Sequence, residues 1–137
     1  MTRREERELA FALCFEAAVS KTSAEEVISG AVEVRNEEVP AFCSRVALGV
    51  ERELPQIDSY IEKNIRKGWT KERISKVALA VLRVAIYELL YEEDIPQSVS
   101  INEAVELAKT YGDKDTPGFV NGVLASVSKE LAGESRE

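Results

Sequence analysis

The groups in this chain best suited to chemistry are guanidiniums and aromatic rings, and they occur together at its start. Arg3, Arg4 and Arg7 fall in the first turns of a helical pattern, and helical spacing sets Arg4 and Arg7 on one stripe with Phe11 and Phe15. Guanidinium beside aromatic is the combination that holds single-stranded RNA, by pairing with phosphates and stacking on bases. The stripe also admits a plainer reading. Glu5, Glu6 and Glu8 interleave with the arginines, which suits an exposed charged turn with ion pairs along the helix, while Phe11 and Phe15 suit a core. A further guanidinium, Arg83, falls in the middle of an apolar side formed by Leu79, Ile86 and Leu90. It must snorkel, pair with a carboxylate or reach a ligand, because an unpaired buried charge is too costly. The last constellation is the short polar connection from Tyr111 to Phe119. A helix that starts there presents free backbone N–H groups and a positive dipole end, able to receive a phosphate. Capping of that end by Asp115 or Thr116 is the structural alternative, and for Asp115 the favoured one.

Other chemistry is missing. The chain has no histidine, hence neither the commonest general base nor the commonest transition-metal ligand. It has no Gly-rich phosphate loop, and Cys14 and Cys43 lack metal-ligand spacing and read as small core hydrophobes. The carboxylates alternate with Lys and Arg on helical segments, as solvated surface does. These features predict a non-catalytic protein with no cofactor and no metal; a carboxylate-only hydrolase, tuned by environment, is the one catalytic alternative left. With 25 acidic against 18 basic residues the net charge is −7, so RNA affinity requires a local basic patch or a basic partner. No apolar run is long enough to span a membrane and the N-terminus is polar, which makes the cytoplasm the expected compartment.

The elements that must position these groups are all helical. Thr2 with Glu5, and Ser23 with Glu26, fit capping boxes for helices running to about Val19 and beyond Ser23. A third helix is expected from near Val39 to Leu54, with Pro55 just past its end, and a fourth from Ile57 to Arg66, stopping near Gly68. The fifth starts after Thr70 and is apolar all round, so it belongs at the centre. Ser100 with Glu103 fits a capping box for the sixth, ending at Gly112, and Thr116-Pro117 opens the seventh. The result is an all-α chain of about seven helices, with a polar tail over 133–137 expected to fray.

The stretch Lys76-Val77-Ala78-Leu79-Ala80-Val81-Leu82-Arg83-Val84-Ala85-Ile86-Tyr87-Glu88-Leu89-Leu90 is followed by Asp94-Ile95-Pro96, Ile101-Asn102-Glu103-Ala104-Val105-Glu106-Leu107-Ala108-Lys109, Gly112 and Phe119-Val120-Asn121-Gly122-Val123-Leu124. In this order and spacing they closely resemble the C-terminal half of the NusB transcription antitermination factors. The resemblance is strong over residues 70 to 128 and looser over the first helix, through its arginines and Ala10 to Phe15. It implies two packed helical bundles, about 1–54 and 55–132, and a boxA-type RNA target within the transcription elongation complex. It also implies a heterodimer with the small-subunit ribosomal protein that acts as NusE, the free chain being a monomer or homodimer. Carried over by position, it assigns RNA contacts to Arg3, Arg4, Arg7, Phe15, Arg83, Tyr111, Asp115 and Phe119, and an acidic partner contact to Glu72. This chain departs from the family pattern in its Glu5 and Glu6, which dilute the basic start, and in Val77 and Ala78, which stand beside Lys76 in place of a further acid. Two other readings stay open: a helical protein-interaction adaptor, and a stand-alone relative of the N-terminal RNA-binding domain of ribosomal RNA cytosine methyltransferases.

Overall fold

A computed structural model of the chain describes residues 1–65 and 70–135. Among the described residues there are seven α-helices and no strand: α1 (Arg3–Ser20), α2 (Ala24–Arg35), α3 (Ala41–Arg52), α4 (Leu54–Asn64), α5 (Lys76–Tyr91), α6 (Gln97–Tyr111) and α7 (Thr116–Ser135), with a 3-10 turn at Lys71–Arg73 before α5. None is long and apolar enough to cross a membrane.

Helix starts follow side-chain chemistry. The Thr2 hydroxyl accepts from the Glu5 amide at 3.1 Å, and the Glu5 carboxylate accepts from the Thr2 amide at 2.8 Å, closing the expected capping box. The Ser23 hydroxyl accepts from the Glu26 amide. Chain reversal after α1 and α2 uses left-handed backbone at Lys21 (φ 57°) and Asn36 (φ 56°).

Three boundaries differ from expectation. Pro55 lies in the first turn of α4 rather than in a break after α3, because a residue without an N–H fits a position whose donor would have no helical acceptor. Ile74 precedes α5, whose cap is Ser75, with its hydroxyl accepting from the Ala78 amide. Ser100 lies inside α6, which starts at Gln97 after Pro96. The expected end of α4 at Arg66 to Gly68 lies outside the described residues. At the other end, the tail is helical as far as Ser135, and the Tyr60 hydroxyl donates to Glu134 at 3.0 Å.

The helices form two bundles that share α5. α1, α2 and α3 pack on one another, α4 and α6 pack on α7, and α5 touches α1, α3, α4, α6 and α7. Its Val81, Leu82 and Ile86 are fully buried in one core continuous from Phe11 and Val46 to Ile57 and Val127. Gly49 of α3 faces the Tyr87 ring, where even a Cβ would overlap the aromatic carbons.

Candidate RNA interface

The first turns of α1 are fixed from within. Arg7 is buried, and its Nε and Nη2 donate to the two oxygens of Glu88 at 2.7 and 2.9 Å. The Glu88 side chain is fully excluded from solvent on α5, and the Ser100 hydroxyl of α6 donates to it at 2.9 Å. Arg7 Nη1 reaches Glu103 at 3.4 Å. The planar fork of the guanidinium matches a carboxylate edge to edge, which is the geometry a buried ion pair needs to offset its desolvation. Ser100 and Glu103, a capping pair by spacing, thus serve this cluster. Sequence held one clue: Glu88 is an acid on a helix apolar on all sides, and such an acid requires a cation.

Around this anchor the other arginines stay exposed. Arg4 gives Nε and Nη2 to Glu103 at 3.0 and 2.7 Å, and that hydrogen bond, helped by the charges of Arg4 and Arg7, holds the Glu103 carboxyl below the usual carboxylate range. Arg3 lies 3.9 Å over the Phe42 ring of α3 and pairs with Glu6 at 3.3 Å. Arg45, a residue the sequence reading passed over, approaches the same ring at 5.5 Å and gives Nε and Nη2 to Glu92 at 2.9 and 2.8 Å. Its position three residues after Phe42 on α3 was the available signal.

The aromatic stripe is graded in exposure. Phe11 is buried, Phe15 is half-buried with its ring nearly parallel at 6.0 Å, and Tyr111 packs on Phe11 at 5.1 Å while remaining 43% exposed. Partial burial and the neighbouring Glu8 carboxylate raise the Tyr111 phenol. At the start of α7 the capping carboxylate is Asp113, not Asp115: it accepts from the amides of Asp115 at 2.9 Å and Thr116 at 3.1 Å, and the Thr116 hydroxyl accepts in return from the Asp113 amide. Asp115 is exposed. Both it and half-buried Phe119 line a cleft of about 770 Å³ with Arg73, Ser75 and Asn64, between the starts of α5 and α7.

The remaining two positions lie away from the start of α1, Arg83 beside Cys14 and Ala17 farther along that helix. Arg83 is paired bidentately with Asp58 of α4 at 2.9 Å for each bond, and Lys71 joins that carboxylate at 3.2 Å. Glu72 is exposed in the 3-10 turn, outside α5, between Lys71 and Arg73. Both cysteines are buried, and burial pushes the Cys14 thiol up to about 12. Among the described residues no three carboxylates or thiols cluster where a metal ion would fit.

Known proteins resemble the chain in sequence and in fold. The family model described as the NusB family matches residues 4–129. The transcription antitermination protein NusB of Ruminiclostridium cellulolyticum is 45% identical over 133 residues, covering 94% of this chain and 90% of that protein. That of Bacillus pumilus is 40% identical, covering 96% and 98%. Among solved structures, T. maritima NusB superposes with a TM-score of 0.87 at 33% identity, over 95% of this chain and 92% of its own. The antitermination factors NusB and NusE in complex with double-stranded RNA give 0.81 at 25% identity, over 95% and 99%. With nearly its whole length matched in sequence and in fold, the chain belongs to the NusB family.

Proposed function

We propose that this chain is a transcription antitermination factor that binds boxA-type single-stranded RNA together with the ribosomal protein acting as NusE, in the cytoplasm and without catalysing a reaction. The observation that carries the reading is the pair of exposed guanidiniums, Arg3 and Arg4, on a helix start anchored by the buried Arg7–Glu88 pair. A solved relative that binds NusE and RNA supports it. So does the match to at least 90% of the length of relatives named as transcription antitermination proteins, which favours that role over a methyltransferase domain's.

In this reading Arg3 and Arg4 contact phosphates, and Phe15, Tyr111 and Phe119 offer rings to unstacked bases. Asp115 belongs to the same surface through the start of α7. Arg7 and Arg83 act from behind, holding α1 and α5 through Glu88 and Asp58. Glu72 faces the basic partner, which offsets the charge of −7.

The test is anisotropy of a labelled boxA-type oligonucleotide titrated with the chain across a salt series, with and without the ribosomal protein. Affinity should rise strongly with the partner. Arg3→Ala with Arg4→Ala should flatten the logarithmic salt dependence by about 1.4, at about 0.7 per single-strand phosphate contact. An unaltered slope removes these arginines from the interface.

A further inference from the structure

Resting on the RNA reading, we propose that the phosphate-binding surface does not end at α1 but continues onto α3, with Arg45 as a further contact to the RNA backbone and Phe42 as the platform that aligns it with Arg3. Arg3 and Arg45 stand over one ring, at 3.9 and 5.5 Å from its centroid, and each leaves half of its side chain in solvent. Arg4 adjoins Arg3 in sequence and is the most exposed of the three at 71%. The cations therefore form an arc from the α6 side of α1, across α1, to α3.

Their pairing with carboxylates does not close the arc. A guanidinium carries five donors on a rigid plane, and a carboxylate occupies one edge. Glu103 takes the Nε–Nη2 edge of Arg4, and Glu92 takes the same edge of Arg45. Glu6 meets only the Nε of Arg3. Among the described residues Nη1 of all three makes no hydrogen bond, so each acid fixes its arginine in orientation and leaves a donor pair for a phosphate. Stacking on Phe42 further restricts Arg3 and Arg45, so little rotamer freedom remains to be lost on binding. A strand with regularly spaced phosphates is the polyanion that such an arc fits, and its bases would then lie on the Phe15–Tyr111 side.

The experiment compares Arg45→Gln with Arg52→Gln, a basic residue at the far end of the same helix, on a short and a longer boxA-type oligonucleotide. Circular dichroism fixes the folded fraction. Arg45→Gln should weaken the longer RNA several-fold, spare the short one, and lower the logarithmic salt slope by about 0.7; Arg52→Gln should change neither. Glu92→Gln, which leaves the charge of Arg45 uncompensated, should tighten the longer RNA. If Arg45→Gln fails to fold, Glu92→Gln decides alone, and no gain in affinity overturns the proposal. An Arg45→Gln protein that binds as the parent does, while the Arg3 and Arg4 substitutions weaken binding, also overturns it and ends the surface at α1. If neither set alters RNA binding, the RNA reading of α1 fails along with it.

Discussion

Arg7 and Arg4 are three residues apart and chemically identical, yet they are placed for different work. Arg7→Ala strands the Glu88 carboxylate inside the core and is expected to cost about 3–5 kcal/mol of stability, whereas Arg4→Ala breaks a solvent-screened pair and should cost far less. Urea denaturation of the two variants measures the difference, and equal losses would mean that the Arg7 cluster is open to water. Adding Glu88→Leu to Arg7→Ala should recover much of the loss, since no buried charge is then left unpaired. This contrast was not legible in the sequence, because an arginine stripe beside phenylalanines serves a core edge or an RNA surface equally well. Arg83 was half legible: its place on an apolar face demanded a carboxylate, but only tertiary packing brings in Asp58 from 25 residues upstream. Cys14 offers a pH test. Its thiol is raised to about 12 by burial, so the folded state resists its ionisation while the unfolded chain ionises near the ordinary value of 9.0. Stability should be unaffected by this group below that value and fall as pH climbs above it. Thermal melts of Cys14→Ala, compared with the parent in alkaline buffers, isolate the contribution, and the native thiol should resist alkylation until the protein unfolds.

At the scale of helices, ends are set by local side-chain bonds that sequence reports well, except where a tertiary partner claims the same atoms. Thr2 closes the capping box that its spacing predicts, and Ser23 caps through its hydroxyl alone, without the return bond from Glu26. Ser100 and Glu103 have the same spacing, but Glu88 and the two arginines recruit them, so the letters of a capping box end up inside α6. The α7 start shows the reverse case, with Asp113 supplying the cap expected from Asp115 or Thr116. Asp113→Ala should destabilise the fold, read as a lower melting temperature. The cap's carboxyl is held below its usual range chiefly by the Asp115 amide, so its contribution is present above the ordinary carboxylate pKa and lost as pH falls below it. Gly112→Ala should act on the same cap from the other side, because a Cβ there comes within 2.6 Å of the Thr116 side chain. If Gly112→Ala on an Asp113→Ala background costs as much as on the parent, the glycine is required for another reason. In the core, Gly49→Ala has to push α3 from Tyr87 of α5 and should cost about 1–3 kcal/mol or more, read as a lower melting temperature.

At the scale of the molecule, an acidic protein presents Arg3, Arg4 and Arg45 on one side, each steadied by an acid, and the proposed basic partner would meet the excess negative charge. Glu72→Lys should slow association with the ribosomal protein at low salt and abolish its boost to RNA affinity, with binding by the chain alone unchanged or slightly better. If partner association is indifferent, Glu72 serves only its local turn. Fold class and the central place of α5 were readable from periodicity, because a helix apolar on every side has nowhere else to go. Since α5 lends its two sides to both bundles, neither can open while the other stays closed, and the boundary between them is not a seam of weakness. Amide hydrogens along Val81 to Ile86 should therefore exchange with deuterium only through whole-chain unfolding, with the same free energy as that reported by amides in the buried parts of α1 and α7. A cavity cut on one side of α5 should then loosen protection on the far side by an equal amount, and the chain should melt in a single transition.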